Sequence, residues 1–168
     1  MNKLLFCLYL CVAAASVAQA QKFAYLNSSA LLSELPEVKA ADSELRAFQA
    51  QLSKKGQEMV KEYQEKVADL QRKQEQGLIA RKDLEAQEAI LLEKQKKIQD
   101  YEQQVYADLS KRREKLFQPI FDRVNEAVKA VAAELGFDYV FDANTSVLVY
   151  ADESLDISKQ VMARLQQK

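Results

Sequence analysis

Apolar residues recur at helical spacing through the middle of the chain, from about residue 37 to residue 136. At first the steps alternate between three and four residues, which is the heptad seam of a coiled coil. From Met59 the steps become four, four and three, an eleven-residue repeat that relaxes left-handed supercoiling. The pattern is carried by Val38, Ala41, Leu45, Phe48, Leu52, Met59, Tyr63, Val67 and Leu70. It predicts a long amphipathic helix with a narrow apolar stripe.

The stripe breaks at residues 76–80, where Gly77 is suited to a reversal of the chain. Beyond the break the apolar positions recur every seven residues, at Leu84, Leu91, Ile98 and Val105. We therefore predict two helices of about 40 and about 56 residues, roughly 60 and 84 Å long, that fold back on each other as an antiparallel hairpin. Gly56 and Pro119 are candidate hinges, and Pro119 is expected to kink the second helix.

The first residues after position 21 alternate apolar side chains between two faces, which predicts a short β-strand over residues 22–26. A short helix is expected to follow. Ser28 or Ser29 is the candidate cap at its start, and Pro36 closes it.

After Gly136 the sequence changes to two runs rich in aromatic and β-branched residues, 137–141 and 147–150, with a polar segment between them. This arrangement is typical of a β-hairpin with a polar turn. The final residues, from Asp156 or Ser158 onward, show helical spacing and predict a terminal helix.

The long hairpin is too polar to form the core of a globular domain, because a narrow seam holds two helices together but cannot bury a third layer. We expect it to project into solvent. The predicted strands present the opposite problem, since three short strands leave open edges and exposed apolar faces. We therefore expect several copies of the chain to share one core. Its candidate residues are Phe23, Tyr25, Phe137, Tyr139, Phe141, Val147 and Val149.

The predicted fold is α+β and mostly α. A long antiparallel helical hairpin, which we call the arm, projects from a small β-rich body that association of copies completes. The arm covers residues 37–129 and has its tip near residues 76–80, and the body comprises residues 21–36 and 130–168.

Residues 1–20 have the features of a cleaved export signal: a short positive start, an apolar run and the small residues that a signal peptidase needs. We expect cleavage after Ala20 and export of the remaining chain. An uncleaved membrane anchor and lipid attachment at Cys7 or Cys11 are the alternatives. Because both cysteines leave with the signal, the exported chain has neither disulfide nor thiol chemistry.

Composition excludes several functions. The 168 residues hold 24 basic and 25 acidic side chains, and this balance argues against a nucleic-acid binder with a broad basic face. The chain has no histidine, the commonest general base and transition-metal ligand. The acidic residues near Asp138 and Asp152 lack the spacing of a calcium loop and fit turn and cap chemistry better. We predict no enzymatic activity, no cofactor and no metal.

Charge is banded along the predicted arm. Residues 66–82 carry five basic and two acidic side chains, whereas residues 83–110 carry three basic and seven acidic ones. A positive tip would attract acidic protein segments or an anionic membrane surface, although an ordinary solvated helix shows such residues too. The candidate basic tip consists of Lys66, Arg72, Lys73, Arg81 and Lys82.

Four apolar residues lie beside the predicted seam, namely Val60, Ile90, Leu92 and Tyr106. They either widen the seam or face a cavity in which they contact a bound chain, and the sequence leaves both interpretations open.

Four segments, in their order and spacing, resemble the Skp/OmpH family of periplasmic chaperones. They are K-F-A-Y-L-N-S-S-A-L-L-S-E-L-P-E (22–37), P-I-F-D-R-V-N-E-A-V (119–128), G-F-D-Y-V-F-D (136–142) and V-L-V-Y-A-D-E-S-L-D-I-S (147–158). Together with the helical insert between them they cover essentially the whole exported chain. The resemblance implies a homotrimer with a small β-rich body and three helical arms. The cavity between the arms would hold unfolded outer-membrane proteins without ATP.

Two functional hypotheses follow. The first is an ATP-independent periplasmic holdase that binds unfolded outer-membrane β-barrel proteins and prevents their aggregation before membrane insertion. An anionic membrane surface or lipopolysaccharide is a further expected partner of this protein, and nucleic acid is not. The alternative is a structural coiled-coil spacer or adaptor of the cell envelope.

Overall fold

A computed structural model describes residues 21–167, so the predicted export signal and its cleavage after Ala20 lie outside the described residues. These residues are mostly helical, in agreement with the predicted fold class. The elements are β1 (Phe23–Leu26), α1 (Ser28–Glu34), α2 (Pro36–Glu75), α3 (Arg81–Leu135), β2 (Tyr139–Asp142), a 3-10 turn (Glu153–Leu155) and α4 (Ser158–Gln166). The chain forms two compact units. One comprises the described residues up to Leu32 together with those from Arg123 onward, and the other is Ser33–Asp122.

β1 has one buried and one exposed face, as its alternating sequence predicts. Ala24 and Leu26 are buried, whereas Phe23 is exposed. The strand pairs in parallel with β2, with Phe23 opposite Tyr139 and Leu26 opposite Asp142. The two strands therefore form a small two-stranded sheet within the first unit.

The predicted β-hairpin over residues 137–150 is wrong. β2 pairs with β1, and residues 147–150 form no strand in the described part of the chain. Parallel strands need a long connection, which the two long helices supply here. The residues just before the two strands are also joined: the backbone N–H of Lys22 donates to Oδ2 of Asp138 at 2.8 Å, across a sequence separation of 116. The partner of β2 therefore lies far away in sequence.

The core of the first unit is formed by apolar stripes on its helices. Val124, Ala127 and Val131 follow one another along α3 at helical spacing and are buried. Ile157 and Val161, at and after the start of α4, are only 1% and 0% exposed. These stripes, with the buried face of β1, hold the sheet in place through removal of apolar surface from water.

The capping of the short helix differs from the prediction. Asn27, and neither Ser28 nor Ser29, caps α1, because its Oδ1 accepts the backbone N–H of Ala30 at 2.9 Å. Ser28 instead donates to the carboxylate of Asp142. Pro36 is the first residue of α2, a position where the missing N–H removes no helical hydrogen bond.

In the second unit α2 and α3 are antiparallel, as predicted. Polar contacts between them in the described residues include Arg112 with Glu44, the Tyr101 hydroxyl with the Leu52 carbonyl oxygen at 2.9 Å, and Lys94 Nζ with Glu62 Oε1 at 2.8 Å. The partner numbers fall along α3 as they rise along α2. The three contacts therefore define one register for the pair of helices.

The seam of α2 contains a residue that the apolar pattern misses. Its half-buried positions are Leu45, Phe48, Leu52, Gly56, Met59, Tyr63, Val67 and Leu70. The predicted change of repeat at Met59 is therefore misplaced, since steps of four, four and three already begin at Phe48. Gly56 has no side chain and is invisible in a hydrophobicity pattern, yet its backbone lies against the ring of Tyr101.

The chain reverses direction between α2 and α3, at residues 76–80. α2 ends at Glu75, and Gly77 adopts a φ of 68°, the left-handed conformation that ends a helix at low cost for glycine. The backbone N–H of Leu78 donates to the carbonyl of Lys73 at 2.9 Å. α3 passes through Pro119 as a single helix.

Candidate functional site

The acidic side chains of the described residues do not cluster as metal ligands would. No group of three or more histidine, cysteine, aspartate or glutamate side chains in residues 21–167 could hold a metal ion. The acidic residues noted in the sequence serve turns and caps. Asp152, for example, accepts the Ser154 N–H at 2.9 Å. Within the same part of the chain, no helix combines the length and the apolar character that crossing a bilayer requires. The candidate sites that the structure does present are surfaces.

A groove runs along one side of the pair α2 and α3. It consists of two adjoining cavities of about 340 and 460 Å³ that share Ser53, Gly56, Tyr101 and Glu102. We call it the mid-arm groove. Its other lining residues are Gln49, Leu52, Gln57, Val60, Lys61 and Gln64 on α2, and Ile98, Val105, Tyr106 and Leu109 on α3.

Small residues on α2 create the groove. Gly56 and Ser53 leave space beside the seam that larger residues would fill. The Tyr101 ring packs against Gly56, its hydroxyl donates to the Leu52 carbonyl oxygen, and Lys55 Nζ lies 5.0 Å from the ring centroid. Contacts on several sides hold Tyr101 in place, so the groove is formed in advance of any binding.

Of the four apolar residues predicted beside the seam, the mid-arm groove brings together two. Val60 lines one cavity and Tyr106 the other, and their side chains are 36% and 77% exposed. Ile90 and Leu92 are exposed on α3 outside the groove. Most of the Tyr106 side chain is open to solvent, so it is available for contact with another molecule.

The candidate basic tip contains both paired and unpaired cations. The carboxylate of Asp69 binds Arg72 and, at 2.6 Å, Lys73. Hydrogen bonds from Lys73 and Arg72 lower the pKa of Asp69. Arg81 lies 3.4 Å from Glu85.

Two further cations of the tip, Lys66 and Lys82, are exposed and form no ion pair within the part of the chain that is described. Leu78, between the two helices, is 71% exposed. The tip therefore presents free cations beside an exposed apolar side chain.

An aromatic cluster covers the exposed face of the two-stranded sheet. The ring centroids of Phe23 and Tyr139 are 5.5 Å apart, and those of Phe23 and Phe141 are 6.0 Å apart. All three side chains are exposed, whereas Tyr25 and Phe137 are half-buried. Burial and the nearby carboxylates of Asp156, Glu153 and Asp152 raise the pKa of Tyr25.

The segment 147–150 is apolar and exposed. Val147 is 74% and Val149 is 97% exposed, and Tyr150 is nearly as open. An exposed run of strand-forming residues is unfavourable in water and is typical of a surface that another chain covers. Like the aromatic cluster, this segment contains residues of the predicted shared core and is exposed in a single copy of the chain.

Arg112 is a residue whose role the apolar pattern cannot reveal. It lies seven positions after Val105, at a seam position, where it pairs with Glu44 and stacks over Phe48 with 5.6 Å between the guanidinium carbon and the ring centroid. A charged residue in a seam specifies register. The apolar pattern does not mark a charged residue, but a count of seven positions on from Val105 reaches Arg112 and predicts its place in the seam.

Comparisons with known proteins agree on one family. The family model described as "Outer membrane protein (OmpH-like)" matches residues 22–165. The chain is 32% identical over 161 residues to the chaperone protein Skp of Yersinia enterocolitica, covering 93% of each chain. It is 29% identical over 164 residues to the chaperone protein Skp of Pectobacterium atrosepticum, covering 91% of this chain and 90% of that one.

The fold also matches a solved structure. A crystal structure described as an OmpH-like outer membrane chaperone from Caulobacter crescentus superposes with a TM-score of 0.74 and 19% sequence identity. The match covers 88% of this chain and 85% of that chain. At this identity the likeness shows the fold alone.

Proposed function

The chain belongs to the OmpH-like family as a periplasmic chaperone of outer membrane proteins, and from this premise we propose that it is an ATP-independent holdase. It binds unfolded β-barrel precursors in a cavity between helical arms and keeps them from aggregating before membrane insertion. Strands that will face lipid expose apolar side chains in water, and these cause aggregation unless they are covered.

The mid-arm groove is the observation that carries the proposal. Val60 and Tyr106 lie exposed along a pre-formed apolar surface. An unfolded protein has no fixed shape, so many weak contacts along an open surface suit it better than one enclosed pocket. The groove offers contacts of this kind.

We further propose that three copies associate through their bodies. Within the described residues β2 pairs only with β1, which leaves its other edge open. The aromatic cluster and segment 147–150 add further exposed apolar surface to the first unit. Pairing of the segment with the sheet of a neighbouring copy would satisfy its backbone and cover its side chains.

The basic tip is proposed to attract acidic client segments and anionic surfaces of membrane or lipopolysaccharide. Lys66 and Lys82 are its unpaired cations, so they are available for contact. Such attraction acts over about 8 Å at physiological ionic strength, and it affects the rate of encounter more than the strength of the complex.

An aggregation assay tests the holdase function. An outer-membrane β-barrel protein is diluted from urea with and without the purified protein, in the absence of nucleotide, and light scattering is followed. We expect scattering to be suppressed at one assembled protein per client. Unchanged scattering at that ratio contradicts the holdase and favours the spacer or adaptor.

The assembly is tested by the mass of the protein in solution. Light scattering coupled to size exclusion should give the mass of three chains. Val149→Glu places a charge in the proposed interface and should reduce that mass, whereas Leu92→Glu on the arm should not. A monomeric mass for the unaltered protein would show that the copies do not share a core.

A further inference from the structure

We propose that the mid-arm groove binds an extended segment of client with alternating apolar side chains, in two neighbouring subsites separated by Tyr101. This inference rests on the proposed holdase function and adds a chemical preference to it. One subsite is the cavity next to Val60, and the other is the cavity next to Tyr106.

The two cavities are large enough to receive large side chains. Volumes of about 340 and 460 Å³ lie at the lower end of the range for sites that enclose a small molecule. Each therefore has room for at least one aromatic or branched side chain, together with part of the backbone that carries it, but not for a folded element. The Tyr101 ring cannot swing away without losing its contact with Gly56 and its hydrogen bond to Leu52, so it separates the two spaces.

The distance between the cavities fits an extended chain. The stretches that line the two cavities are offset by five to six residues along each helix, roughly 7–9 Å along the arm. Side chains on one face of a strand repeat every ~7 Å, which falls within this range. Two apolar side chains at alternate positions can therefore occupy both cavities at once.

The rim of the groove suits the backbone of such a segment. Gln49, Gln57 and Gln64 make no side-chain hydrogen bond within the described residues, so their amides can donate to and accept from an unpaired backbone. Lys61, which pairs with Glu65 at 3.9 Å, Glu102, and Lys55 beside the Tyr101 ring bring two charges of each sign. The rim is therefore neutral and favours an uncharged segment, as alternate apolar and polar residues of an unfolded barrel strand provide.

Peptide binding tests the preference. Two fluorescent ten-residue peptides of the same composition are compared by anisotropy: one alternates valine or phenylalanine with serine or glutamine, and the other has its apolar residues in one block. We expect the alternating peptide to bind more tightly. Val60→Gln and Tyr106→Gln should each weaken its binding roughly fivefold or more, through loss of apolar contact.

The matched control is Phe121→Gln, an exposed apolar residue on the same helix that does not line the groove. It should leave peptide binding unchanged. Circular dichroism of each variant confirms that the helices are intact. Equal binding of the two peptides, or variants of Val60 and Tyr106 that bind as the unaltered protein does, overturns the inference.

Photo-crosslinking identifies the occupant of the groove. A benzophenone-bearing residue in place of Gln57 should form a crosslink to the alternating peptide. Crosslinks that join only copies of the protein would show that a neighbouring copy fills the groove, and the inference would be wrong. If the protein suppresses aggregation but fails these tests, only the proposed binding preference of the groove is wrong. If it suppresses no aggregation, the holdase function is wrong.

Discussion

The ring of Tyr101 on α3 lies directly against the backbone of Gly56 on α2, so that a Cβ built on Gly56 would be 3.4 Å from Cε1 of Tyr101. The Tyr101 hydroxyl also donates to the carbonyl oxygen of Leu52, the group one helical turn before Gly56. The glycine predicted as a hinge is thus also a close-packing position between two helices.

Gly56→Ala should stabilise the protein. Alanine is favoured over glycine in a helix interior by about 0.5–1 kcal/mol, and its Cβ would make an ordinary van der Waals contact with Tyr101. Gly56→Leu should destabilise it by about 1–3 kcal/mol, because the added atoms have to displace the ring. Urea denaturation followed by circular dichroism measures both changes.

The same pair of variants tests the hinge. If bending at Gly56 serves client binding, Gly56→Ala should suppress client aggregation less than the unaltered protein does, even though its free energy of unfolding is higher. Equal destabilisation by alanine and leucine would show that the packing is tighter than the 3.4 Å approach indicates.

Tyr101→Phe should lower the free energy of unfolding by about 1 kcal/mol, because the variant loses one hydrogen bond to a backbone carbonyl. Tyr106→Phe, on the same helix but exposed, is the matched control and should unfold as the unaltered protein does. Thermal denaturation of the two variants side by side provides the comparison. Identical melting temperatures would mean that the Tyr101 hydroxyl contributes nothing.

The arm could be predicted from the sequence because its signals are local. Apolar spacing defines the two helices, and Gly77 marks the reversal between them. The pairing of β1 with β2 could not be predicted in this way, since the partner strand lies far away in sequence and an adjacent strand-forming run, 147–150, offered a simpler local partner. Within the described residues that run forms no strand.

The groove could be predicted only in part. Val60 and Tyr106 were found because apolar residues outside a stripe are conspicuous. The bond from Tyr101 to Leu52 uses a backbone oxygen, which every residue has, so no sequence signal marks it. The groove itself depends on an absent side chain at Gly56, which a hydrophobicity pattern does not register.

Lys94→Gln should weaken the pH dependence of stability. The hydrogen bond from Lys94 lowers the pKa of Glu62. The ionised Glu62 carboxylate therefore stabilises the fold at a pH above the ordinary glutamate pKa, and this stabilisation is lost as the pH falls through the lowered pKa. Without Lys94, the free energy of unfolding should fall less between neutral pH and about pH 3. Lys96→Gln makes the same charge change beside it without breaking an ion pair, and should keep the original profile.

Asp142→Ala should destabilise the first unit by about 1 kcal/mol, the usual cost of removing a capping acceptor. Its carboxylate accepts the Ser28 N–H at 3.2 Å, the Ser28 hydroxyl at 2.5 Å and the Asn144 N–H at 2.9 Å. Burial raises the pKa of Asp142, but the bonds from Ser28 and Asn144 outweigh it and the pKa is lowered.

The contribution of Asp142 is therefore lost as the pH falls through that lowered pKa, and it is fully present above the ordinary carboxyl pKa. Denaturation of Asp142→Ala at neutral pH and near pH 3 should show that the difference from the unaltered protein shrinks in acid. Asp100→Asn, on α3, is the control and should show no such change. A difference that stays constant with pH would show that ionisation of the Asp142 carboxylate contributes nothing to the stability of the first unit.

Neutralising the basic tip should slow client capture more at low salt than at high salt, because screening shortens the reach of its charges. The relevant variant replaces Lys66, Arg72, Lys73, Arg81 and Lys82 with glutamine. Stopped-flow fluorescence of a labelled client, at several salt concentrations, gives the rate of capture. Unchanged rates at low salt would show that the tip has no role in capture.

Two smaller variants separate free cations from paired ones. Lys66→Gln with Lys82→Gln removes two cations that form no ion pair in the described chain, whereas Arg72→Gln with Lys73→Gln removes the two that Asp69 binds. Both remove two positive charges, so the long-range attraction falls equally in the two. Only the unpaired cations are available for direct contact without first breaking an ion pair, so the first variant should also release clients faster than the second. Equal release rates from both variants would show that pairing with Asp69 does not restrict contact.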